Sequence, residues 1–172
     1  MPTRGEFRIE VTKDYLVFAA AHFITFEGAR CEPLHGHNYR VGVVIEGMPD
    51  EESWYVFDFV RLKQLMRELC NEIDHKVLLP LQNPRITVAT ERESVTVALD
   101  GRPRYVFPRE DCVLLPLPNT TVEMLARHLT QRIRGQLDAG HAGRLTAIQL
   151  EVEENFGQSA VYRERLDPQR QE

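Results

Sequence analysis

The chain has 172 residues, of which 42% are apolar and 27% charged, and a formal net charge of -5. That is enough for one domain with a full hydrophobic core and short for two; no apolar run approaches the roughly 18 residues of a membrane span, and the acidic balance argues against non-specific nucleic-acid binding. Three cysteines, Cys31, Cys70 and Cys112, are too few and odd in number for a disulfide framework, and the N-terminal residues lack the apolar core of a secretory signal, so a cytosolic protein is the expectation.

Taken in order, Phe7, Ile9 and Val11 alternate with Arg8, Glu10 and Thr12, the two-residue period of a half-buried strand. The run from Leu16 to Phe23 continues it past an interruption near Asp14 and carries His22 to its far end. After a loop at Cys31, Tyr39, Val41, Val43 and Ile45 alternate with Arg40, Gly42, Val44 and Glu46, a long second strand that stops at Gly47-Met48-Pro49. Trp54 to Phe57 reads as a short edge segment and Asp58 as an N-cap.

From Phe59 the period changes. Phe59, Leu62, Met66, Leu69 and Ile73 recur at three and four residues, one face of a helix, with Cys70 beside the stripe as a small buried hydrophobe. The helix hands over to Asp74-His75-Lys76 and then Val77-Leu78-Leu79-Pro80. Residues 83–117 read as an insertion of strands, in which Val95, Val97 and Leu99 run into the hairpin turn Asp100-Gly101 and Tyr105 to Phe107 return. It shows no chemistry and is expected to be an embellishing hairpin or interface arm, with Cys112 a core residue. Thr120-Thr121-Val122-Glu123 has capping-box spacing, and Val122, Leu125, Ala126, Leu129, Ile133 and Leu137 supply the apolar face of a second helix. His128 falls on its polar side and His141 in a glycine-flanked loop, both read as surface histidines. Last, Ile148, Leu150, Val152 and Glu154 share one face of a strand, Ser159 to Arg163 pairs back, and residues 166–172 form a polar tail. The expected order is two strands, helix, strand insertion, helix, two strands.

The chemistry gathers at Cys31-Glu32-Pro33-Leu34-His35-Gly36-His37-Asn38-Tyr39. His35 and His37 enter a strand one residue apart, so their imidazoles share a face. His22, on the neighbouring strand, offers a third. Three neutral histidines leave a bound Zn2+ its full charge and one open position, the catalytic pattern rather than the structural one. Cys31 would lie within reach of that charge. An Asp74-His75 pair at a helix end is chemically suggestive, and Glu154 stands out because a carboxylate on an apolar face is costly unless something pairs with it.

His22, Cys31 with His35-Gly36-His37-Asn38-Tyr39, then Asp74-His75-Lys76, Thr121-x-Glu123 and a late glutamate followed by a strand together resemble the 6-pyruvoyltetrahydropterin synthase and 6-carboxytetrahydropterin synthase superfamily, over the chain from about Phe7 to Tyr162 apart from the insertion. The resemblance implies an α+β tunnelling fold in a single domain, an antiparallel four-stranded sheet with two helices on one face. It implies a homohexamer of two trimers with active sites between subunits, and a zinc-dependent lyase acting on 7,8-dihydroneopterin triphosphate. Residue by residue, it makes His22, His35 and His37 the zinc ligands and Cys31 the general base or acid. Asp74 and His75 complete a proton relay, commonly from an adjacent subunit. Glu154, with Glu153 as the fallback, holds the pterin ring, and Thr121 and Glu123 match a second pterin-contacting segment, although Met124 stands where Asn is usual. The gap from Cys31 to His35 resembles that of bacterial carboxytetrahydropterin synthases. The expected products are therefore 6-carboxy-5,6,7,8-tetrahydropterin, acetaldehyde and triphosphate, a step of 7-deazaguanine and queuosine biosynthesis; a 6-pyruvoyl product or a non-enzymatic zinc- or pterin-binding module are the rivals.

Physically, a thiol near Zn2+ and an imidazolium would have its pKa lowered from about 8.5 toward neutrality. Asp74 would hold His75 in one tautomer, and a buried Glu154 would accept paired N–H donors from the pterin's guanidine-like edge. Each has a duller counterpart: Cys31 as a fourth zinc ligand, Asp74-His75 as a helix-end cap, and Glu123 as no more than half of its capping box.

Overall fold

The computed structural model describes residues 5–28, 30–137 and 143–166. Strands β1 (Phe7–His22) and β2 (His35–Gly47) run antiparallel, with Val11 opposite Val43, Phe18 opposite Tyr39 and His22 opposite His35. The register slips between Thr12 and Val17. That bulge exchanges which residues face inward, from Val11 on one side to Leu16, Phe18, Ala20 and His22 on the other, and so lets one long strand feed a single core.

Strand β8 (Leu145–Asn155) pairs antiparallel with β2, and β9 (Gln158–Arg165) with β8. The expected four-stranded antiparallel sheet is thus only part of the sheet. β3 (Lys76–Pro80) adds in parallel to β1, and β7 (Cys112–Leu115) in parallel to β3, giving a mixed six-stranded sheet in the order β7-β3-β1-β2-β8-β9. These two strands are short and covered on both sides. Leu78 and Leu115 face the main core while Leu79 and Cys112 face a second one, so neither run alternates as a half-buried strand does.

Helices α1 (Phe59–Ile73) and α2 (Val122–Arg134) close the main core against Leu16, Phe18, Tyr39, Val41, Leu150 and Val152. Asp58 caps α1, its carboxylate accepting the Val60 N–H at 2.6 Å, and Cys70 is buried as expected. Phe59, placed on the buried stripe by its spacing, is half exposed; Leu65 takes the inner position instead. Trp54 to Phe57 forms no strand but drops Val56 and Phe57 into the core. The capping box is absent too. α2 is capped by Thr121, whose side chain makes no capping bond, because the helix begins one residue later than the Thr120–Glu123 spacing requires.

The insertion is a three-stranded antiparallel sheet, β4 (Ile86–Glu91), β5 (Ser94–Leu99) and β6 (Arg102–Pro108). Asp100 and Gly101 turn the β5–β6 hairpin with φ of 49° and 76°, the left-handed pair that such a turn needs. Its core, Ile86, Val95 and Val97 with Phe23, Leu79 and Cys112, lies beneath the Cys31 loop. His128 is half-buried rather than a surface residue; His141 and the tail beyond Leu166 lie outside the described residues. No helix among the described residues is long and apolar enough to cross a membrane.

Candidate metal centre and active site

Register brings the three histidines together. His22 pairs with His35 and Ala20 with His37 across β1 and β2, so one ring nitrogen from each of His22, His35 and His37 lies within 4.8 Å of the others. Gly36, between the two β2 histidines, sits where a Cβ would stand 3.2 Å from the Ala20 carbonyl oxygen, so a side chain there would press on β1. Two of the rings are held by donation from Nδ1, His22 to the Thr120 carbonyl at 2.8 Å and His35 to the Pro33 carbonyl at 3.0 Å, whereas His37 Nδ1 accepts from the Asn155 side-chain amide at 3.3 Å. In His22 and His35 a proton fixed on Nδ1 leaves the lone pair on Nε2, the usual support of a metal-binding imidazole.

His22 is 1% exposed, and its Nε2 is buried without a hydrogen-bond partner among the described residues. A buried nitrogen left unmatched costs free energy unless something occupies it. Burial also holds the His22 pKa below its ordinary value, against the opposing pull of the Thr120 bond and Glu154, so the ring is neutral and able to coordinate. The donor set therefore fits a zinc ion.

Glu154 does face the apolar side of β8, and the structure shows what it meets. Its Oε1 accepts the Tyr39 hydroxyl at 3.3 Å and lies 3.4 Å from Nε2 of both His22 and His37. Burial, then Glu154, pushes the Tyr39 phenol pKa well upward, so it stays a donor. Glu153 instead points to the other face, accepting the Gly157 N–H at 3.0 Å and pairing with Arg40.

Cys31 is half-buried at the rim of the second core, its thiol donating to the Glu32 carbonyl at 3.5 Å. Desolvation pushes its pKa upward, with Arg104 and then Arg85 pulling the other way. The protein frame alone thus raises the thiol, and the lowering expected of Zn2+ and an imidazolium is a separate contribution acting against it. Asp74 and His75 form a pair, Asp74 Oδ2 lying 2.8 Å from His75 Nδ1 while Oδ1 accepts the Ala19 N–H at 2.8 Å. His75 takes φ of 57°, a left-handed step that turns the chain out of α1 and into β3. Among the described residues, no hydrogen bond or ion pair joins Cys31 to Asp74 or His75. The Thr121 side chain and exposed Glu123 make no bond to the imidazoles either, although Thr120 beside them does.

A cavity of about 870 Å³ opens on the sheet face turned from the helices, lined among others by Ala19, Ala21, Asn38, His75, Glu153 and Phe156, with His37 in its wall. His37 thus belongs to both the cavity and the imidazole trio. The residues that sequence reasoning missed are Thr120, Asn155, Tyr39 and Glu32, whose carboxylate lies 3.8 Å from His35 Nε2. Only Glu32, acidic and beside the His-Gly-His unit, carries a signal that could have found it.

A family model described as 6-pyruvoyl tetrahydropterin synthase matches residues 10–165. The chain is 32% identical over 152 residues to a Methanocaldococcus jannaschii protein provisionally named 6-carboxy-5,6,7,8-tetrahydropterin synthase, covering 88% of this chain and 92% of that one. It is 39% identical over 91 residues to the dihydroneopterin monophosphate aldolase of Pyrococcus furiosus, 53% of this chain and 72% of that one. Its fold matches a Plasmodium vivax 6-pyruvoyltetrahydropterin synthase carrying alanine in place of a catalytic glutamate, with a TM-score of 0.85 and 25% identity over 94% of this chain and 99% of that one.

Proposed function

From the premise that the chain belongs to the 6-pyruvoyl tetrahydropterin synthase family, we propose that it is a cytoplasmic, zinc-dependent 6-carboxy-5,6,7,8-tetrahydropterin synthase. It converts 7,8-dihydroneopterin triphosphate and one water to 6-carboxytetrahydropterin, acetaldehyde and triphosphate, the water supplying the second carboxyl oxygen. The observation that carries this reading is the trio of converging imidazoles, one of which, His37, also lines the cavity, together with an unmatched buried His22 Nε2.

A zinc ion held by His22, His35 and His37 would supply Lewis-acid stabilisation of negative charge on the oxygens of the substrate side chain. Cys31 takes and returns the proton. Asp74 holds the His75 ring through Nδ1 and supports its charged form; this pair serves Cys31 from an adjacent subunit of a homohexamer built from two trimers. Among the described residues the hydrogen bonds of Glu154 fall on Oε1, leaving the rest of the carboxylate to accept the pterin's N–H edge. Thr121 and Glu123 complete the pterin-contacting segment. The test is product identification by mass, with zinc-loaded protein and 7,8-dihydroneopterin triphosphate. A 6-pyruvoyl product, or no triphosphate release, would sink the assignment.

A second reading is favoured by Glu32, 3.8 Å from His35. One relative is a dihydroneopterin monophosphate aldolase and a structural neighbour has a catalytic glutamate. Glu32 would then act as the base in a retro-aldol cleavage of a dihydroneopterin phosphate side chain. Cleavage that survives Cys31→Ala and is lost in Glu32→Gln would select it.

A further inference from the structure

The insertion has a part in the site that its sequence does not disclose. We infer that Arg104, on strand β6, is the positioning residue of the Cys31 thiol, setting an uncompensated positive charge beside the sulfur while its neighbour Tyr105 fixes the loop that carries it. This rests on Cys31 as the proton carrier.

The geometry begins at one carbonyl. Cys31 Sγ donates to the Glu32 carbonyl oxygen at 3.5 Å and Arg104 Nη2 donates to the same oxygen at 2.9 Å. The guanidinium and the sulfur are therefore no farther apart than those two reaches laid end to end. Two residues on, the Leu34 N–H donates to the Tyr105 hydroxyl at 3.1 Å. The Tyr105 ring packs against Phe23 and Phe107, and the Arg104 guanidinium lies over it, 5.3 Å from the ring centre. Consecutive strand residues ordinarily point to opposite faces. Here Val97 pairs with Tyr105 and Ala98 with Pro103, so Arg104 is the extra residue of a bulge, the device by which a strand re-aims a side chain.

The charges around the thiol make Arg104 the effective one. Arg104, Arg85, Glu32 and Asp100 are the charged groups acting on Cys31. Arg85 is bound by Asp100 at 2.6 Å, so those two largely offset each other. Arg104 has no carboxylate partner among the described residues, and its Nε is buried without a hydrogen-bond partner there. A half-buried arginine whose Nε is buried with unmatched donor capacity suits a neighbour that becomes an anion when it works. Burial pushes the thiol pKa up, and Arg104 is the foremost influence against it.

The experiment follows the alkylation of Cys31 by iodoacetamide, resolved peptide by peptide on the zinc-loaded protein from about pH 6 to 10, alongside turnover. In Arg104→Met the midpoint of the rate–pH curve is expected to rise by about one unit, slowing labelling near neutrality about tenfold. kcat should fall by a similar factor with KM within about twofold, and Arg104→Lys should recover much of the midpoint. Tyr105→Phe, which removes a clasp but no charge, should leave the midpoint in place. An unmoved midpoint in Arg104→Met, or an equal shift in Tyr105→Phe, overturns the inference; should Arg104→Met not fold, Arg104→Gln is held to the same two outcomes. If Cys31→Ala turns over normally, it is the role of Cys31 that falls, and the labelling midpoints still decide Arg104.

Discussion

His22 Nδ1 and the Thr120 carbonyl oxygen, 98 residues apart in sequence, are joined by a 2.8 Å hydrogen bond. This bond ties the end of β1 to the approach of α2. It also decides which imidazole nitrogen faces the site, so the metal-binding competence of His22 depends on how the second helix is docked. Thr120 is fully buried, and its hydroxyl donates to the Phe23 carbonyl at 3.1 Å, which fixes the peptide that accepts from His22.

Thr120→Val should therefore register in two ways. The Phe23 carbonyl loses a buried donor, at about 1–3 kcal/mol of stability, and the backbone carbonyl that accepts from His22, kept in valine, is no longer held in place, weakening zinc binding about tenfold. Urea denaturation and competition with a chromogenic chelator measure the two. A stability loss with undiminished zinc affinity would mean that the helix docks without orienting the ring.

Glu154→Gln tests the carboxylate between Tyr39 and the two imidazoles. If this carboxylate holds the pterin, as proposed, loss of the charge-assisted pairing is expected to raise KM about tenfold or more. Zinc affinity should also fall, because His22 and His37 lose an anion 3.4 Å from their Nε2 atoms. Tyr39→Phe removes only a neutral donor and should have the smaller effect on both. Steady-state kinetics on zinc-saturated protein separates substrate binding from metal loss.

Asp74 supplies a pH test. Its carboxyl is held below its ordinary value, first by the Ala19 N–H and then by His75. Its lowered folded-state pKa contributes stability present above about 3.9, the unfolded value, and lost as pH falls through the folded one. Asp74→Asn cannot titrate. The variant should be less stable than the native chain at neutral pH, with the gap closing below about pH 4 as the native carboxylate takes up its proton. Urea midpoints at neutral and acid pH check this; a gap of constant size would assign the loss to packing.

What the sequence discloses follows from which contacts are local. The imidazole trio is legible because strand alternation sets His35 and His37 on one face and an apolar run delivers His22 to its neighbour. Glu154 is legible as an acid on an apolar face, but its partner Tyr39 lies 115 residues away. Thr120 acts through a backbone carbonyl, which any residue possesses, so no side-chain pattern marks it. The apolar strand at β7 is read as part of the insertion, but that it and β3 extend the main sheet is not legible, because strands covered on both sides lose their period, and Arg104 is missed because its bulge is defined only by pairing with β5. The capping-box spacing fails because Thr120 is drawn to Phe23 instead.

The separation of Cys31 from Asp74 and His75 gives a test of assembly. Among the described residues the Cys31 thiol bonds within its own loop and lies among insertion residues, whereas Asp74 is anchored to Ala19 and its partner His75 lines the cavity. If a relay from the adjacent subunit completes each site, Cys31→Ala and His75→Ala chains are each inactive alone. After mixed refolding in equal amounts, about a quarter of the sites would pair an intact thiol with an intact histidine in a symmetric assembly. Turnover should then return toward that fraction while each variant refolded alone stays silent. Mixed refolding that restores nothing, with oligomers confirmed by light scattering, would place the relay within one chain; full activity in His75→Ala alone would remove His75 from the reaction.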